Sequence, residues 1–98
     1  MKSNEPLRRK HLILSGVVQG VGFRWRARQA ASAVGVTGWV RNDRRGTVSM
    51  ELQGTEAQID RVLQMLDRAP WIRIEDINMR TIPLDMDERS FVTRDDEW

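Results

Sequence analysis

The sequence predicts an α+β sandwich with the element order β-α-β-β-α-β. Three observations carry that expectation. Apolar residues recur at helical spacing in two segments, Phe23, Ala27, Ala30/Ala31, Val34 and Ile59, Val62, Leu63, Leu66. Short runs that are β-branched, aromatic or alternating lie before, between and after those segments. The 98 residues fit one compact domain whose modest core favours two packed layers.

Each element has its own signal. Residues 1–8 are polar and include Pro6, so a flexible N-terminal tail is expected. His11 to Ser15 reads as the first strand, entering a glycine-rich stretch. The first helix begins at Phe23, and Gly35 is its stop. Trp25, Arg26, Arg28 and Gln29 fall off its apolar stripe. Val36 to Val40 reads as a strand. Asn42 to Gly46 supplies the residues of a hairpin turn. Val48, Met50 and Leu52 alternate with Ser49, Glu51 and Gln53, which predicts a strand with one buried and one wet face.

Gly54 ends that strand in this reading. Thr55 and Gln58 have capping-box spacing ahead of the second helix, and Ala69-Pro70 closes it. Ile72 and Ile74 open another strand. Ile77 and Met79 continue it on the opposite parity, so a bulge or break is expected near Glu75-Asp76. Residues 83–90 are polar and irregular, and Phe91 to Thr93 offers a last short strand. The order points to a ferredoxin-like sandwich, an antiparallel sheet with both helices on one face. The folded domain is read as 9–94, and 95–98 as a charged C-terminal end. Such a fold hosts many unrelated functions, so function has to be read from the site.

Composition narrows the options. The absence of cysteine excludes disulfides, thiolate metal sites and a cysteine nucleophile. The apolar run Leu12-Ile13-Leu14 is too short for a signal-peptide core, and no stretch approaches the ~20 apolar residues of a membrane span. A cytoplasmic, monomeric protein with no membrane contact is expected. The net charge of +2 conceals an asymmetry. Residues 1–50 hold ten Lys/Arg against two acids, and residues 51–98 hold six Arg against twelve. The field of Arg8, Arg9, Lys10, Arg24, Arg26, Arg28 and Arg41 contains no carboxylate and should attract anions.

The stretch Gly16-Val17-Val18-Gln19-Gly20-Val21-Gly22-Phe23-Arg24 sits where strand gives way to helix. It fits neither GxxxxGK[ST] nor GxGxxG. The physics of those loops still applies. Glycines let successive N–H groups turn inward as an anion nest, and a helix N-terminus adds free donors and a positive dipole end. Arg24 in the first turn can fork onto phosphate oxygens, although a cation there is slightly unfavourable for the helix. Loop chemistry alone leaves phosphate binding and a plain structural turn both open.

Those nine residues resemble the acylphosphatase signature G-x-V-Q-G-V-G-F-R. A second signature of that family, G-[aromatic]-x-x-N-x-x-x-G-x-V-x-x-x-x-x-G, matches from Gly38-Trp39 through Asn42, Gly46 and Val48 to Gly54. The resemblance covers roughly residues 9–79 well and implies the same ferredoxin-like fold. It also implies a function: hydrolysis of an acyl phosphate to a carboxylate and inorganic phosphate, with no metal, cofactor or covalent intermediate. It implies that the backbone amides of Val18, Gln19, Gly20, Val21, Gly22 and Phe23, with Arg24, bind the phosphoryl group, and that Asn42 positions the attacking water. The segments 84–90 and 94–98 match no family pattern. The chemistry is reasonable by itself, because a mixed anhydride has a good leaving group, so positioning and charge stabilisation can carry most of the catalysis.

Other residues have blander readings. His11, the only histidine, is expected to be a surface or edge residue rather than a base. Asp85-Met86-Asp87 is expected to be a solvated turn, without the spacing of a calcium loop. Trp39 is expected to pack within its strand, Trp98 to belong to a mobile end, and Arg44-Arg45 to be solvated. The competing function is a non-catalytic module of the same fold that binds RNA or a protein partner through its basic half. The wet strand face of Thr47, Ser49, Glu51 and Gln53 carries a carboxylate and no aromatic ring, so no nucleic acid is expected.

Overall fold

A computed structural model describes residues 5–96. The element order is β1 (Leu7–Val17), α1 (Phe23–Val34), β2 (Thr37–Asn42), β3 (Val48–Thr55), α2 (Glu56–Asp67), β4 (Arg73–Ile82) and β5 (Phe91–Thr93). The strands form one sheet in the order β4-β1-β3-β2-β5. The pairings β1–β3, β1–β4 and β2–β3 are antiparallel, as expected. The short β5 runs parallel to β2, which makes the complete sheet mixed.

The core lies between the sheet and the two helices. Leu12 and Leu14 of β1, Met50 and Leu52 of β3 and Val40 of β2 meet Phe23, Ala27 and Ala31 of α1 and Ile59, Val62 and Leu66 of α2. Small residues on α1 let that helix approach the sheet closely. Gly35 ends it in the left-handed conformation and donates its N–H to the Ala31 carbonyl at 2.8 Å. The capping box of α2 is complete: the Thr55 hydroxyl accepts from the Gln58 N–H at 3.2 Å, and the Gln58 side chain accepts from the Thr55 N–H at 2.9 Å. Such a cap stabilises a helix by about 1 kcal/mol.

The first strand is longer than its sequence suggests. Leu7 and Arg8, read as tail, pair with Thr55 and Gly54, and the strand runs on through Val17. Likewise β3 continues past Gly54 to Thr55. The remaining tail residues 1–4, and Trp98 with its neighbour at position 97, lie outside the described residues. The irregularity in β4 falls where parity predicted it. Ser15 pairs with Asp76 and Gly16 with Ile74, so Glu75 is the extra residue of a bulge. The bulge returns Ile77 and Met79, opposite Leu14 and Leu12, to the helix side of the sheet.

The other sheet face is covered at the end that holds Arg9 and Gln53, and stays open around Ile13. The irregular segment 83–90 folds back over the covered end. Arg9, only 4% exposed, donates from both terminal nitrogens to the Glu88 carboxylate at 2.8 and 3.0 Å. It also donates to Glu51 Oε1 at 3.0 Å and Gln53 Oε1 at 3.1 Å. Gln53 in turn exchanges hydrogen bonds with the backbone N–H and carbonyl of Asp85. The neighbouring strand β2 adds an aromatic ring to this face, Trp39, which packs within its strand as expected. Trp39 pairs with Glu51, is 6% exposed and lies beneath the guanidinium of Arg94 at 4.4 Å. A buried, cation-covered ring is no stacking platform for bases.

Candidate active site

The glycine stretch leaves β1 and enters α1 through two left-handed turns, Gly20 at φ 72° and Gly22 at φ 77°. A Cβ at either position would meet nothing within 4 Å, so it is the backbone angle and not space that calls for glycine there. Val18 and Phe23 bury their side chains in the core and so pin both ends of the loop. Gly22 is the N-cap of α1, and no side chain caps the helix start. Among the described residues, no acceptor takes the backbone N–H groups of Gln19 to Phe23. Free N–H donors of this kind, with the positive end of the helix dipole behind them, are suited to an anion.

A cavity of about 350 Å³ opens over this loop. Val18, Gly20, Gly22 and Phe23 form one side, and Arg24 and Asn42 lie on it together. Those two residues are eighteen positions apart in sequence and come from different layers. Asn42 ends β2 and is 9% exposed, and among the described residues no hydrogen bond engages its side-chain amide. Trp25 and Arg28 of α1 and Thr93 of β5 complete the wall. Thr93 is there because β5 lies beside β2, with Val40 opposite it.

Two further residues, Asp96 and Asp43, shape the site and carry no sequence expectation, and Gln19, expected only for its backbone amide, adds a side-chain role. Arg24 Nη1 donates to Asp96 Oδ1 at 2.6 Å, so the chain's own carboxylate sits on the guanidinium. Asp43, buried in the hairpin turn next to Asn42, accepts from the hydroxyls of Thr47 at 2.9 Å and Ser49 at 2.7 Å and from Arg41 Nε at 3.3 Å. The side chain of Gln19 donates to the backbone carbonyls of Asp43 at 2.7 Å and Thr47 at 2.8 Å. That bridge ties the glycine loop to the turn that carries Asn42. The sequence did contain a trace of it, as Asp43, Thr47 and Ser49 are a carboxylate and two hydroxyls clustered on one hairpin.

The other candidates lie elsewhere. His11 sits on the inner strand β1 on the opposite sheet face, where its Nδ1 donates to Glu51 Oε2 at 2.7 Å. It is therefore neither an edge residue nor a neighbour of Arg24. Burial pushes the Glu51 carboxyl up, but the hydrogen bonds from His11 and Arg9 and the Arg9 charge outweigh it and leave Glu51 below its ordinary value. Arg9 is held above its ordinary value, chiefly by its hydrogen bond to Glu88, with Glu51 adding to it. Asp85 and Asp87 form an exposed turn in which the Asp87 N–H donates to Asp85 Oδ1 at 3.0 Å. Among the described residues no group of three His, Cys, Asp or Glu side chains is placed to hold a metal ion. No helix there is long and apolar enough to cross a membrane.

Comparison with known proteins gives the same outline. The acylphosphatase family model matches residues 10–93. The acylphosphatase of Bifidobacterium longum is 36% identical over 96 residues, covering 96% of this chain and 99% of that protein. The acylphosphatase structure from Coxiella burnetii superimposes with a TM-score of 0.81 at 30% identity, covering 90% of this chain and 93% of that one. The acylphosphatase crystal structure from Bacillus subtilis also gives a TM-score of 0.81, at 26% identity, covering 91% and 99%. Fold and relatives together define a small hydrolase built on the ferredoxin-like α+β sandwich. Within that class, the chain belongs to the acylphosphatase family.

Proposed function

We propose that this enzyme hydrolyses the carboxyl–phosphate bond of small acyl phosphates, and that the Val18–Phe23 amides with Arg24 hold the phosphoryl group while Asn42 orients water. The observation that supports this most is the meeting of a free-amide loop, Arg24 and Asn42 on one cavity. The phosphoryl oxygens take the loop N–H groups, and the Arg24 guanidinium neutralises the charge that builds on them. Asp96 must yield Arg24 to the substrate. An ion pair that is partly exposed on both sides is worth about 1 kcal/mol or less, so a phosphoryl dianion can displace it.

The Asn42 carboxamide accepts a hydrogen bond from a water and holds it in line with the leaving oxygen. The water oxygen forms its bond to phosphorus as the bond from phosphorus to the bridging oxygen breaks. The bridging electron pair leaves on the carboxylate, and a phosphoryl oxygen takes the proton from the water. No side chain need change its own protonation state. The products are a carboxylate and inorganic phosphate. The test is turnover of acetyl phosphate by the purified protein in the presence of a chelator. Turnover that persists with chelator supports a metal-independent reaction, and turnover abolished by it refutes that part of the reading.

A further inference from the structure

We propose that Arg28 selects acyl phosphates whose acyl group carries a second anion, a carboxylate at the far end of a short chain. This deepens the proposed function and rests on it. In the phosphoryl half of the cavity, oxygens are met by the loop amides and Arg24. The rest of the wall consists of Trp25, Arg28 and Thr93. That wall sets a cation and a hydroxyl beside one indole ring.

Arg28 differs from the other cations of α1. Arg24 is paired with Asp96, and Arg26 lies over the Trp71 ring at 5.8 Å. Arg28 is exposed and, among the described residues, has no ion-pair or hydrogen-bond partner. It lies four residues after Arg24, on the same helix face and lining the same cavity. Four residues advance about 6 Å along a helix axis. That is near the span from a phosphoryl group to a carboxylate separated from the anhydride carbonyl by about two methylenes, given the ~3.5 Å that three extended bonds cover. A guanidinium fork is matched to a carboxylate. Trp25, 63% exposed at the mouth, offers an apolar surface for the connecting methylenes. The roughly 350 Å³ of the cavity is more than a phosphoryl group alone would fill.

The experiment compares acetyl phosphate with 3-carboxypropanoyl (succinyl) phosphate on wild type, Arg28→Gln and Arg28→Lys, at low salt with chelator. Arg28→Gln should lower kcat/KM for succinyl phosphate by about five-fold and for acetyl phosphate by less than about two-fold, the range of an exposed ion pair. Arg28→Lys should keep most of the preference, because it keeps the charge. Inhibition by inorganic phosphate should be the same in all three proteins. Salt at about 1 M should erase the difference between wild type and Arg28→Gln. Equal losses on both substrates, or weaker phosphate inhibition in Arg28→Gln, would overturn the proposal, since Arg28 would then act on the phosphoryl group or on the helix. Hydrolysis of acetyl phosphate with no change in the substrate ratio sinks this inference alone. Failure of the wild type to hydrolyse either compound sinks the proposed function as well.

Discussion

At the scale of single residues, Arg24 and Asn42 have separable tasks. In the proposed mechanism Arg24 meets the phosphoryl charge in both ground and transition states, whereas Asn42 meets only the water. Arg24→Ala should lower turnover of acetyl phosphate by about 100-fold or more, the loss typical of one charge-stabilising donor, and should weaken phosphate inhibition. Asn42→Ala should lower kcat while inhibition by phosphate stays near the wild-type value. Steady-state kinetics with phosphate as inhibitor separates the two, and equal effects on both constants in both variants would contradict the division. Asp96 adds a third expectation. Asp96→Asn frees Arg24, so phosphate should inhibit about two- to five-fold more tightly, as expected for loss of a partly exposed competing pair. The sequence singles out Arg24 and Asn42, which line one cavity, because each closes or centres a local motif. It does not single out Asp96, because its partner is 72 positions away and only the folded chain brings them together.

At the scale of elements, the helices were the most legible part. Phe23, Ala27 and Ala31 repeat at a helical period, and the Thr55–Gln58 box is a local device. The β4 bulge was legible too, since Ile74 and Ile77 break the two-residue alternation. The full length of β1 was not, because Leu7 and Arg8 are held as strand by Thr55 and Gly54, residues remote in sequence. Gly16 shows how an element junction is built. Its φ is 124°, and a Cβ there would lie 2.1 Å from the Arg73 carbonyl oxygen, at the point where the bulge shifts the register. Gly16→Ala should therefore destabilise by about 2 kcal/mol or more. In a domain of this size that is a fall in Tm of roughly 10 °C, readable by thermal unfolding. An unchanged Tm would mean the strand can shift at no cost.

At the scale of the whole molecule, the acidic second half of the chain folds back onto the basic first half. Glu88 and Glu51 clasp Arg9, and Asp96 takes Arg24. The charge asymmetry seen in the sequence is thus partly cancelled inside the fold, and the anion-attracting field is narrower than the count of arginines suggests. The reading of 83–90 as irregular was right about its backbone, yet its role as a cover was invisible, because that role depends on a pairing across the sheet. The clasp also sets a pH response. Glu51 titrates below its ordinary value of 4.5 in the folded protein. Its stabilisation is present above that ordinary value and is lost as pH falls through the lower folded value. Acid unfolding should therefore steepen below about pH 4.5 in wild type and be flatter in Glu51→Gln. Identical acid limbs would remove Glu51 from the account.

In the proposed mechanism the loop and Arg24 hold the phosphoryl group for direct attack by water on phosphorus. Single-turnover hydrolysis of acetyl phosphate in water labelled with heavy oxygen tests it most directly, with mass analysis of both products. One labelled oxygen is expected in the inorganic phosphate and none in the acetate. Label in the acetate would place the attack on the carbonyl carbon and contradict the roles given to the loop, Arg24 and Asn42.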